Sequence, residues 1–149
     1  MKTLLLSLAL LTGSFIHAIA SSRLAAPGDS ATHKLTIDFT NVINRTGTLY
    51  VGLVNNAASF DGDSYRKTQV QVPATGTFQV TFDQLPAGQY AVKVFQDLNG
   101  NQKMDRSGQM PTEPFGFSNV TMLMGPPSFE ETAFDLNGPK TIVIRLLGQ

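Results

Sequence analysis

Leu35, Ile37 and Phe39 alternate with Lys34, Thr36, Asp38 and Thr40, a period of two that predicts a strand with one buried and one wet face. Asn44 to Gly47 supplies a turn, and Leu49 to Val54 is apolar on both faces, as in a central strand. Ala57 to Tyr65, containing Asp61-Gly62-Asp63, predicts a polar loop. Val70 and Val72 alternate with glutamines, Pro73 to Gly76 turns the chain, and Phe78, Val80 and Phe82 alternate again. Together they predict a hairpin. Leu85 to Gly88 makes another turn, before a strand to Phe95 with Tyr90, Val92 and Val94 on one face. Ile142, Ile144 and Leu146 mark a last strand over 141–147. One or two short strands also fit near Asn119–Leu123 and Glu131–Leu136. No segment carries a sustained helical stripe, so the pattern predicts an all-β fold, a single antiparallel β-sandwich of about seven strands.

The first twenty residues change the picture of where this fold works. Lys2, an apolar run from Leu4 to about Ile16 and the small-residue triplet Ala18-Ile19-Ala20 read as a secretory signal peptide. The run falls short of the about 20 apolar residues that span a bilayer, so no integral membrane segment is expected. The expected organisation is a cleaved signal over 1–20, a polar leader over 21–32 and a sandwich domain over 33–149. A soluble periplasmic or extracellular protein follows.

Composition narrows the chemistry. The chain has no cysteine, which excludes a disulfide framework, a thiol nucleophile and zinc-thiolate sites. Loss of Lys2 with the signal leaves ten basic and eleven acidic residues without a basic stripe, so nucleic acid is not an expected partner. His33 would be the one histidine of the mature chain, and no Gly-x-Ser-x-Gly elbow occurs, which argues against a serine hydrolase.

One stretch carries candidate chemistry. Asp97-Leu98-Asn99-Gly100-Asn101-Gln102-Lys103-Met104-Asp105 places oxygen donors at the offsets that calcium loops use: Asp97, Asn99, Asn101, the carbonyl of Lys103, and Asp105. Glu113 is positioned to loop back as a further carboxylate. Offset 6 is Gln102 instead of glycine and offset 12 is Gly108 instead of glutamate, so a sensor-type EF-hand is not expected. The expectation is a structural Ca²⁺ clasp of modest affinity, about 10⁻⁴–10⁻³ M. The same residues also suit an ion-free turn, because Asx side chains bond their own backbone. Between Gln96 and about Ser118 no strand pattern is visible, and a loop of that length is usually functional.

Leu85-Pro86-Ala87-Gly88-Gln89-Tyr90, the Asp97–Asp105 run, Pro111-Thr112-Glu113-Pro114-Phe115-Gly116-Phe117-Ser118-Asn119 and Gly125-Pro126-Pro127-Ser128-Phe129-Glu130 resemble the DUF2141 family of exported bacterial proteins. The resemblance covers nearly all of the mature chain. It implies a transthyretin-like or immunoglobulin-like sandwich and names no activity.

Phe115, Phe117 and Phe129 are candidates for a binding surface or, alternatively, for core that closes one end of the sandwich. Met122 and Met124 read as adaptable core filling. The sequence thus predicts a non-catalytic binding or accessory module, for an unidentified protein or carbohydrate ligand. Its alternatives are a metal-assisted hydrolase using the Asp97–Asp105 loop with Glu113, and a structural subunit that pairs through an edge strand.

Overall fold

In the computed structural model, which describes residues 31–148, the first alternating run forms β1 (Thr32–Thr40). It is followed by β2 (Thr48–Val54), α1 (Ala57–Asp61), β3 (Arg66–Gln71), β4 (Gln79–Pro86) and β5 (Gly88–Asp97). Then come β6 (Arg106–Ser107), β7 (Met110–Pro111), β8 (Phe115–Phe117), α2 (Phe129–Thr132), β9 (Phe134–Leu136) and β10 (Lys140–Arg145). The expected signal peptide and all but the last two residues of the expected leader lie outside the described residues. Thr32 already belongs to β1, and His33 sits on that strand.

The strands form two main sheets. One has three strands in the order β10-β1-β4; the other has five, β3-β2-β5-β8 with β9 also paired to β5. β6 and β7 make a separate ribbon. Leu35, Ile37 and Phe39 of β1, Val80 and Phe82 of β4 and Ile144 of β10 join Leu49, Val51 and Leu53 of β2 and Val92 and Val94 of β5 in one buried cluster. The buried faces are the ones the period-two pattern selects, because neighbouring residues on a strand point to opposite sides.

Partners differ from expectation where faces do not. The predicted hairpin of 70–82 is not one: β3 lies in the five-stranded sheet and β4 in the three-stranded sheet. The Pro73–Gly76 turn and the break at Ala87 both carry the chain from one sheet to the other. Nor is the fold wholly antiparallel, since β1 and β10 run parallel with Ile37 opposite Ile142 and Phe39 opposite Ile144. Alternation is unaffected by strand direction, so it could not report this.

The expected loop of 57–65 contains α1, started by Asn56, whose side chain accepts from the Ser59 amide at 2.9 Å. The long segment after Gln96 carries the β6–β7 ribbon and β8, which pairs antiparallel with β5. No strand forms over 119–123, where only an isolated bridge joins Phe117 and Val120. The segment 131–136 divides between α2 and β9. Ser128 and Glu131 form a capping box on α2. Met122 and Met124 are 77% and 97% exposed, so they are not core filling; the chain here runs over the surface between Gly and Pro breaks, with no strand pairing to turn the side chains inward.

Candidate functional site

β5 ends at Asp97, and this buried carboxylate folds the loop that follows it. Oδ1 accepts from the amides of Asn99 at 3.2 Å and Gly100 at 2.7 Å, and Oδ2 from that of Gln102 at 2.7 Å. The Asn99 side-chain oxygen then accepts from the Asn101 amide at 3.0 Å, and that of Asn101 from the Lys103 amide at 2.8 Å. These are successive Asx turns, each tightening the chain by two residues. Both asparagine Nδ2 groups donate to Asp105, which gathers the far side of the loop. Gln102 has φ 64°, so it takes the left-handed conformation that a glycine ordinarily supplies at this offset, and the turn is kept.

A second carboxylate braces the loop from outside. Glu113 is buried, and its Oε1 accepts from the Leu98 amide at 2.9 Å while Oε2 accepts from the Asp105 amide at 3.1 Å. Glu113 therefore does return to the loop, but onto backbone N–H groups. The run after it continues to pin structure. The Pro114 carbonyl accepts from the Gln96 amide at 2.8 Å, and Phe115 to Phe117 forms β8. The Ser118 hydroxyl accepts from the Val92 amide at 2.9 Å and donates to the Thr132 carbonyl at 2.6 Å. Among the described residues no group of three or more His, Cys, Asp or Glu side chains is placed to hold a metal ion. Asn99, Asn101 and Asp105 do converge; Asp97 and Glu113 are engaged with backbone.

Burial by itself would raise the Asp97 pKa, but the amides of Gln102, Gly100, Asn99 and Asn101 outweigh it and hold the carboxyl below the ordinary aspartate value. A depressed folded pKa means stability that is present above the unfolded value of about 3.9 and lost as pH falls through the lower folded value. Acid titration followed by circular dichroism is expected to show a loss of stability beginning below about pH 4. In Asp97→Asn this component is absent, and an unchanged acid limb in that variant would refute the assignment.

The outer face of the five-stranded sheet, turned away from the main core, forms a groove beside this loop. Register places Lys67, Gly52, Lys93 and Phe117 in one row across β3, β2, β5 and β8, and Tyr50, Phe95 and Phe115 in the next. One end is closed by a second small core in which α1 and α2 bring Phe60 and Phe129 onto Val54 and Ala91, with Phe117 at its margin. The other end is bounded by Gln102, Met104 and Arg106 from the loop and the ribbon, with Pro126 and Pro127 as a side wall. The cavity is about 550 Å³, and a second of about 610 Å³ shares Met104, Arg106, Phe117, Pro126 and Pro127 with it. Both volumes lie in the range typical of small-ligand sites, about 300–1,000 Å³.

Lys93 crosses the floor of the groove. Its Nζ donates to the carbonyls of Phe60 at 2.6 Å and Gly62 at 3.0 Å, tying the end of α1 to the sheet. Partial burial lowers its pKa, opposed by Asp61. Gly52 leaves room beside it: a side chain there would meet the Ser64 hydroxyl, which would have to turn aside. Of the aromatic residues the sequence singled out, Phe129 and Phe115 are buried and Phe117 is partly exposed between the two cavities. Tyr50, Lys67, Lys93 and Phe95 escaped the sequence reading. Their signal was present: with Tyr90, Val92 and Val94 inward, Lys93 and Phe95 must face outward, and Tyr50 likewise opposes Leu49 and Val51.

The family model described as "Uncharacterized protein conserved in bacteria (DUF2141)" matches residues 37–144 of the chain. No curated protein and no solved structure matches it.

Proposed function

Starting from the premise that the chain belongs to the DUF2141 family, we propose that it is an exported, non-catalytic binding module built on a β-sandwich of transthyretin-like or immunoglobulin-like type, whose ligand site is the groove on the outer sheet face. The observation that carries this reading is the walled groove itself, with an aromatic floor at Tyr50, Phe95 and Phe117 and closed ends. Apolar pockets with a few convergent polar groups are the usual form of a ligand site. The metal-assisted hydrolase alternative is disfavoured because both Glu113 oxygens already accept backbone N–H groups.

The test uses N-phenyl-1-naphthylamine, an apolar aromatic probe, titrated into ¹⁵N-labelled protein. Amide shifts are expected at Gly52, Ser64, Lys93 and Phe117 and not on the three-stranded sheet. Shifts spread over both sheets, or none, would overturn the reading.

The Asp97–Asp105 loop serves in this proposal as a clasp that fixes one wall of the groove, closed by its own side chains and strengthened by Ca²⁺. A cation there would enter among the oxygens of Asn99, Asn101 and Asp105 with the Lys103 carbonyl, displacing the two Nδ2 donors from Asp105, while Asp97 keeps one acceptor site beyond its three N–H bonds. Weak binding follows from that competition. Calcium at ten times its dissociation constant is expected to add about 1.4 kcal/mol to stability, read as a rise in melting temperature that disappears in Asp105→Ala. Identical melting curves in calcium and in chelator would remove the ion from the clasp.

A further inference from the structure

The groove carries more than apolar walls. Lys67, Lys93 and Arg106 line the first cavity, where Asp61 is the one acid among the described lining residues and Asp63 lies just outside it beside Lys67. Each cation has donors left over. The Lys93 ammonium spends two of its three protons on carbonyls. The Arg106 guanidinium, with five N–H donors, bonds the Gln109 carbonyl at 3.2 Å and meets the Met104 sulfur at 3.5 Å. Lys67 pairs with Asp63 at 2.7 Å, but both side chains are largely exposed, and such pairs hold their partners weakly.

The aromatic floor points the same way. The Tyr50 and Phe95 rings are cross-strand neighbours with centroids 5.0 Å apart and planes within 9°. Because adjacent strands lie about 4.8 Å apart, the rings stand upright on the sheet with their faces against each other. They therefore present edges to the groove: that of Phe95 carries the positive end of the aromatic quadrupole, and that of Tyr50 ends in a hydroxyl able to donate a hydrogen bond. Upright rings give a poor platform for the flat face of a sugar. A positive edge and a hydroxyl donor beside three cations favour negative charge, whereas Phe117, Met104, Pro126 and Pro127, where the two cavities meet, suit an apolar body.

From this juxtaposition we infer that the groove takes an amphipathic organic anion, drawn by the positive charge that Lys67, Lys93 and Arg106 place along the first cavity, with its apolar body lying along Phe117 toward the cavity bordered by Leu123 and Met124. The inference rests on the groove being the ligand site. The methionines suit it, since the flexible thioether side chain adapts to apolar partners of differing shape.

The test compares two probes that differ by one sulfonate: 8-anilinonaphthalene-1-sulfonate and the neutral N-phenyl-1-naphthylamine, titrated by fluorescence into the full mature chain. The sulfonate is expected to bind at one saturable site about tenfold more tightly. In the double variant Lys67→Gln, Arg106→Gln that preference is expected to vanish through a loss of about tenfold in the affinity for the sulfonate. Both side chains are exposed at the surface, and an unaltered melting temperature confirms that the variant folds. Displacement of the sulfonate by decanoate or by decyl phosphate, and not by decanol, separates a carboxylate from a phosphate head group. Equal wild-type affinity for the two naphthyl probes, or equal displacement by decanol, would overturn the anion inference and leave the binding reading standing. Binding of neither probe would overturn both.

Discussion

Gly47→Ala is expected to destabilise the protein by about 3–5 kcal/mol, from a left-handed backbone strain of about 1–3 kcal/mol and a steric penalty of similar size. Gly47 has φ 77°, and a Cβ there would drive into the carbonyl oxygen of Asp97. The obstacle is backbone, at the residue where β5 passes into the Asp97–Asp105 loop, so it cannot swing aside as a long side chain would. The Gly47 carbonyl also accepts from the Val72 amide at 3.0 Å, fixing the position from its other side. Gly76→Ala is the control. It has φ 80° with nothing within 4 Å of the Cβ, so it pays the backbone term alone, about 1 kcal/mol. Urea denaturation of the two variants separates the terms. A Gly47 variant no less stable than the Gly76 variant would show that β2 and the loop do not approach each other as described.

Glu113→Ala is expected to cost about 3 kcal/mol, because it removes two charge-assisted bonds and leaves the Leu98 and Asp105 amides without a partner. Glu113→Gln retains one acceptor oxygen and should recover about half of the loss. Hydrogen exchange adds a local reading: in Glu113→Ala the amides of Leu98 and Asp105 should lose protection well before those of β2. Protection unchanged at both amides would mean that the loop holds itself without the brace. Because the loop walls the groove through Gln102 and Met104, loosening it is also expected to weaken probe binding there, even though Glu113 does not itself line either cavity.

Several features were legible in the residues themselves. The period-two runs at 34–40, 70–72, 78–82 and 89–95 identified strands and their inward faces, because a side chain alternates sides whatever its strand pairs with. The Asp97–Asp105 run announced a structured loop, since short Asx side chains turn the chain locally and need no distant partner. Glu113, expected as a further carboxylate for an ion, reaches the loop by accepting its backbone N–H groups. Its role there was not legible, because a carboxylate that accepts backbone N–H groups and one that awaits a cation are written with the same letter.

Pairing was the first thing decided only in three dimensions. Pro73–Gly76 has the composition of a hairpin turn, yet Phe78, Val80 and Phe82 serve the opposite sheet, where they cover Leu49 and Val51 rather than extend them. β10 lies parallel to β1 across partners such as Leu35 and Lys140, far apart in the chain, a pairing on which no local pattern bears.

The groove was the second. Lys93, Phe95 and Tyr50 each look like unremarkable outward positions on their own strands. Register alone sets Tyr50 against Phe95 and Lys67 and Lys93 on either side of Gly52, and the small core of Phe60 and Phe129 closes the end. The pattern of residues alone was enough for the inward faces of the alternating strands and for a loop built from acceptor oxygens, since these follow from interactions within a few residues; it misplaced Met122 and Met124, which no strand holds. Which strands meet, what Glu113 holds and where apolar walls face cations were decided by tertiary structure, because those contacts join residues far apart in the chain.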